Sequence, residues 1–135
     1  MSCINLIEFN SLGDKRGELF SIEANRNLPF DIKRIYYMYG MNSELPRGFH
    51  AHKELKQLAI CITGSCRFIM DDGRNRDEII LSSPNKGIII DNLVWHEMHD
   101  FSEDCVLMVV ANDVYDEMDY IRDYEYFLKK VLVGK

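Results

Sequence analysis

An all-β sandwich or barrel with one C-terminal helix is the fold class this chain predicts. Three observations carry the prediction: about nine or ten short apolar runs at near-regular spacing, turn-forming residues between them, and a single stretch of helical period at the end.

The elements follow in order. Ile4, Leu6 and Phe9 open a first strand, and Asp14-Lys-Arg-Gly17 turns it into a second at Glu18–Glu23. Ile32 to Tyr39 is rich in β-branched and aromatic residues, which suit a pleated, half-buried surface. Gln57–Thr63 and Cys66–Met70 flank Gly64-Ser65, a tight hairpin signal, and Asp72-Gly73 is a second turn leading to Glu78–Leu81. Gly87–Ile90, Trp95–His99 and Cys105–Ala111 complete the strands. Tyr120, Ile121, Tyr124, Phe127, Leu128 and Val131 recur at three- and four-residue intervals, one apolar helix face. Asp116 and Asp119 suit the start of that helix and Lys129 and Lys130 its end, as the helix dipole prefers.

With 135 residues, 47% hydrophobic and 28% charged, the sequence predicts one domain, residues 1–135, able to bury a proper core. The net charge of −6 argues against a nucleic-acid partner, which wants a basic face, but leaves room for a small anionic ligand held by a few arginines. The four cysteines show no CxxC spacing, and free thiols in a reducing compartment are expected, with Cys61 and Cys66 facing across the hairpin as the one disulfide candidate. The N-terminal residues lack the basic start and apolar run of a secretion signal, and the longest apolar stretch, Val106–Ala111, is too short to span a membrane. A cytoplasmic protein without a membrane partner is the expectation.

All four histidines fall in two short segments, Arg47–His52 and Trp95–His99. Imidazole trades protons near neutral pH and also binds metals, so two chemistries compete. His50 and His52, two apart, share one face of a strand, and with His96 they could supply three nitrogens to a transition metal. The acid such a set needs is awkward: the residue five beyond His52 is Gln57, a neutral amide and a poor ligand, and only Glu54, of the same strand parity, could replace it. The alternative is metal-free proton transfer beside a carbonyl, with Tyr36, Tyr37 and Arg47 as candidate donors to the developing enolate. Gln57 tips the balance towards this second chemistry.

The spacing His50-Ala-His52, four residues, Gln57, six residues, Gly64 resembles the first cupin motif with glutamine in the usual glutamate position. Pro84-Asn-Lys-Gly87 followed by His96 is a looser second motif. Longer blocks are more specific. Ile32-Lys-Arg-Ile-Tyr-Tyr37, Pro46-Arg-Gly-Phe-His-Ala-His52, Asp71-Asp-Gly73, Trp95-His-Glu-Met-His-Asp-Phe101 and Asp119-Tyr-Ile-Arg122 resemble the TDP-4-keto-6-deoxyglucose 3,4-ketoisomerases over almost the whole length.

That resemblance implies a metal-independent cupin double-stranded β-helix (jelly roll), without a cofactor, in a homodimer that exchanges N-terminal strands. The substrate it implies is a TDP-linked 4-keto-6-deoxy sugar on the way to 3-amino-3,6-dideoxyhexoses of surface polysaccharides. It makes His50 and His52 the acid–base pair and Arg16, Tyr37, Arg47, His96 and Trp95 the substrate-binding residues. Arg16 and His96 lean the product towards the galacto configuration at C4. A 3,5-epimerase of the same nucleotide sugar, a metal-dependent cupin dioxygenase and a non-catalytic sugar-nucleotide sensor remain the competing functions.

Overall fold

The computed structural model describes residues 3–133. Ten strands form two antiparallel five-stranded sheets: β1 (Asn5–Glu8), β2 (Arg34–Met38), β3 (Arg47–His52), β4 (Gln57–Thr63), β5 (Cys66–Asp71), β6 (Arg76–Leu81), β7 (Lys86–Ile90), β8 (Trp95–His99), β9 (Val106–Ala111) and β10 (Tyr120–Ile121). One sheet runs β1-β7-β4-β9-β2 and the other β10-β3-β8-β5-β6. A 3₁₀ turn, Glu117–Asp119, precedes β10, and one helix, α1 (Tyr124–Val133), follows it. Among the described residues no helix is long and apolar enough to cross a membrane. The cupin jelly roll expected from the resemblance is the fold observed.

The main core lies between the sheets, around Ala59, Phe68, Met70, Ile88, Leu107 and Val109. Two smaller clusters cover the outer faces. Phe9, Leu28 and Phe30 pack on Leu58, Ile60, Ile89 and Val110 of the first sheet, while Phe127 and Val131 of α1 pack on Ala51 and Trp95 of the second. Strands β4, β7 and β8 are therefore largely buried on both faces, and β2 alternates cleanly because one face meets solvent.

The two turn signals hold. Gly64 and Gly73 sit at φ 75° and 92°, in the left-handed region, and a Cβ on Gly64 would come within 2.3 Å of Ser102 Oγ. Cys61 and Cys66 do face across the hairpin, as free thiols with sulfurs 3.6 Å apart.

Two expectations fail. Glu18–Glu23 is not a strand: Phe20 and Ile22 lay their side chains on the outer face of the first sheet, and the local pairing reduces to isolated bridges at Asp14–Gly17 and Ala24–Leu28. The helix begins at Tyr124 rather than near Tyr120, because Tyr120 and Ile121 instead pair with His52 and Ala51 as the edge of the second sheet. Asp116 caps the 3₁₀ turn, accepting from Met118 N–H at 3.0 Å, and Asp119 accepts from the backbone N–H groups of Glu54 and Leu55 at 2.9 and 3.2 Å. Neither starts α1.

Candidate active site

Between the sheets a cleft of about 250 Å³ opens, lined by Arg34, Tyr36 and Met38 of β2, Arg47 and His50 of β3, Gln57 of β4, His96 and Met98 of β8, and Tyr120 of β10. A bulge sets its chemistry. Arg47 pairs with Met98 and His50 with His96, although Arg47 and His50 are three residues apart and so of opposite strand parity. The extra residue lies at Gly48-Phe49, both with positive φ (92° and 61°), and the slip returns His50 to the face that Arg47 occupies. Gly48 is required there on a second count: a Cβ would stand 2.8 Å from the His96 carbonyl oxygen. Phe49, turned outward, packs edge-on against His99.

His50 and His96 belong to this wall, and the His52 ring packs against His50 beside it. Ring centroids lie 5.1 Å apart for His50 and His52 and 4.7 Å for His50 and His96, and one nitrogen of each falls within 4.8 Å of the others. His50 Nδ1 donates to the Gly48 carbonyl at 3.0 Å and His96 Nδ1 to the Val94 carbonyl at 3.2 Å. A carbonyl only accepts, so in both rings Nδ1 carries the hydrogen and Nε2 keeps its lone pair. Burial pushes His50 down to about 4, helped by neighbouring His52, and His96 down to about 3, helped by His50. His52 is also pushed down to about 4, mainly by burial, with the Asp119 carboxylate opposing. Near neutral pH all three are uncharged bases.

Three neutral imidazoles could also hold a divalent transition metal. The fourth donor a metal would want is missing among these residues. Gln57, 1% exposed, has its Oε1 bound by the Tyr36 hydroxyl at 2.5 Å, and Glu54 lies beyond the end of β3 in a separate cavity. Burial raises the Tyr36 hydroxyl to about 12, so it stays a donor. The arrangement therefore offers uncharged bases on one wall, and the Arg34 and Arg47 guanidinium groups and the Gln57 amide as donors around them.

The expected site residues divide. His50, His96 and Arg47 line the cleft. Tyr37 does not: strand alternation turns it outward, 68% exposed, and puts Tyr36 in the cleft instead. Trp95 is buried on the opposite face of β8, where its Nε1 donates to Glu97 Oε2 at 2.9 Å and its ring packs on Tyr124 and Phe127. Arg16 sits on the exposed Asp14–Gly17 turn, its side chain 89% exposed and paired with Asp14, outside this chain's own cleft. Tyr120, whose ring stands 4.9 Å from His50 and 4.4 Å from His52, was hidden in the sequence by its apparent place on a helix face. The Asp119–Arg122 block was the one signal that could have found it.

The chain is similar to proteins of known activity over nearly its whole length. The family described as "FdtA: WxcM-like, C-terminal" matches residues 2–132. The TDP-4-oxo-6-deoxy-alpha-D-glucose-3,4-oxoisomerase of Aneurinibacillus thermoaerophilus is 55% identical over 126 residues, 93% of this chain and 91% of that protein. The QdtA 3,4-ketoisomerase from Thermoanaerobacterium thermosaccharolyticum, solved as a double mutant in complex with TDP, superposes with a TM-score of 0.94 at 42% identity, covering 99% of this chain and 97% of that one. A histidine-to-asparagine mutant of the same enzyme, in complex with TDP-4-keto-6-deoxyglucose, gives 0.92 at 40% identity, covering 97% and 95%. With a cupin fold, a cleft walled by neutral imidazoles and these relatives, the chain belongs to the FdtA, WxcM-like family of sugar-nucleotide 3,4-ketoisomerases.

Proposed function

We propose that this protein converts TDP-4-keto-6-deoxyglucose to the TDP-3-keto-6-deoxyhexose by metal-free proton transfer through an enediol. The observation that carries the reading is His50: a neutral imidazole whose Nδ1–H is tied to the Gly48 carbonyl, leaving Nε2 as a base at the cleft wall. His50 takes the C3 proton, which the C4 ketone acidifies. The C3–H electrons form the C3–C4 double bond and the carbonyl electrons move to O4. Arg34, Arg47 and the Gln57 amide are the donors near enough to the cleft to stabilise that oxyanion. Passage of the O3 proton to O4 and return of a proton to C4 complete the 3-ketone and the 4-hydroxyl, so the exchange is redox-neutral and proton-neutral within the sugar. His52, 5.1 Å behind His50, is its acid–base partner. The TDP and TDP-sugar complexes of the relatives support the substrate class.

The galacto product and the strand-exchanged homodimer belong together in this reading. Arg16 lies outside this chain's own cleft, so it bears on the C4 configuration only by reaching the site of a second copy, where it would act with His96. Light scattering should therefore give a dimer, and Arg16→Ala should alter the C4 configuration ratio of the product.

Incubation with TDP-4-keto-6-deoxyglucose, followed by NMR, tests the function: a 3-keto sugar supports it. Binding without turnover would replace it with a sensor.

A further inference from the structure

His52 does not open onto the cleft that His50 lines. It stands in the wall of a second cavity of about 160 Å³, whose lining includes Arg34, Glu54, Asp113, Asp116 and Asp119. Arg34 and Tyr120 border both spaces, so the two cavities are back to back. On this shared wall two buried nitrogens have no hydrogen-bond partner among the described residues, His52 Nδ1 and Arg34 Nε. Buried polar atoms are nearly always satisfied, so two orphans on one wall call for a reason.

The nearest acceptor to His52 Nδ1 is Asp119 Oδ2, 3.4 Å away. That is close enough to direct the N–H and too far to bond it well. Asp119 is held at this distance by its bonds from the Glu54 and Leu55 N–H groups. With Nδ1 turned to Asp119, Nε2 is the nitrogen left for His50 and His96; the three imidazoles offer one nitrogen each within 4.8 Å of the others, a span short enough for one water molecule to bridge. Arg34 from β2, Asp119 from the 3₁₀ turn, Tyr120 from β10, Arg122 beyond it, and His50 and His96 are the titratable or charged groups around the ring.

We propose that His52, positioned by Asp119, is a proton port that joins the base His50 to solvent in the carboxylate-lined cavity. The proposal rests on the ketoisomerase reading. After His50 takes the C3 proton, His52 accepts a proton at Nε2 and releases the one on Nδ1 into the cavity. On the return, a solvent proton enters at Nδ1 and the Nε2 proton goes back to His50 for delivery to C4. The out-and-back passage restores the His52 tautomer and leaves no net proton or electron. His50 meets the sugar; Asp119 is a positioning residue that acts through His52.

The test uses substrate carrying deuterium at C3, turned over in ordinary water, with the label at C4 of the product read by NMR. The native protein should lose most of the label to solvent. Asp119→Asn keeps one carbonyl oxygen for the Glu54 N–H and gives up the longer bond from the Leu55 N–H, so its melting temperature is measured beside its turnover. It should turn over at least about tenfold more slowly and retain several times more label per turnover, with Asp119→Glu recovering part of both. Val114→Trp, on the exposed rim of the second cavity, should raise label retention without touching the cleft. Unchanged retention in both the Asn and Trp variants, or a native protein that keeps its label, would overturn the port. A native protein that makes no 3-keto sugar would instead overturn the underlying reading.

Discussion

The Tyr36 hydroxyl donates to Gln57 Oε1 at 2.5 Å, in the lining of the cleft that His50 and His96 share. This bond holds the amide where a metal-binding cupin would place an acid. It leaves the Gln57 NH₂ group as a donor rather than a ligand. Removing the hydroxyl in Tyr36→Phe strands a buried acceptor and should cost about 1–3 kcal/mol of stability, measured by urea denaturation.

The converse substitution changes the chemistry. Gln57→Glu adds a carboxylate to His50, His52 and His96 and completes a mixed nitrogen–oxygen set. Calorimetry should detect divalent nickel or manganese bound by this variant more tightly than by the native protein. Native turnover should be insensitive to chelator. Activity lost to chelator and restored by metal would contradict the metal-free mechanism.

The pH dependence follows from the depressed imidazoles. His50 and His52 are held to about 4 and His96 to about 3, against 6.5 when exposed. Between those values the unfolded chain binds more protons than the folded one. Stability is therefore fully present above about pH 6.5 and falls as pH drops towards 4. The base is already neutral throughout the neutral range. The pH profile of kcat/KM should be flat there, with an acid limb centred well below 6.5. A limb at 6.5 would mean that His50 is not desolvated as the cleft requires.

Gly48 should tolerate no side chain. Its φ of 92° and the 2.8 Å approach of a built Cβ to the His96 carbonyl both oppose it. Gly48→Ala should lose about 1–3 kcal/mol of stability and, because the bulge aims His50, lose turnover beyond what the stability change explains. Parallel melting and kinetic measurements separate the two losses.

Much of the fold was legible because short runs bounded by Gly64-Ser65 and Asp72-Gly73 fix where strands reverse. What misled was local pattern without knowledge of neighbours. Phe20 and Ile22 alternate like a strand yet pack flat on a sheet face, and Tyr120 and Ile121 extend a helical period although an open sheet edge at β3 captures them. The histidines announced the site, and parity correctly joined His50 to His52. Parity could not join Arg47 to them, since only the bulge at Gly48-Phe49 does so. Tyr36 and Tyr37 differ by one residue, and no composition rule says which of two adjacent tyrosines faces inward. Trp95 shows the same ambiguity on β8, where its neighbour His96 takes the cleft side.

His50 should carry the largest kinetic effect. His50→Asn removes the base while preserving a side chain of similar polarity, and should lower turnover by at least about two orders of magnitude with an unchanged melting temperature. A variant with near-native turnover would remove His50 from the reaction.

The most direct measurement is turnover of TDP-4-keto-6-deoxyglucose in heavy water by chelator-treated protein, with the position of deuterium read by NMR. Proton transfer between C3 and C4 at His50 predicts a 3-keto product carrying deuterium at C4. Deuterium at C5, with the ketone still at C4, would contradict it.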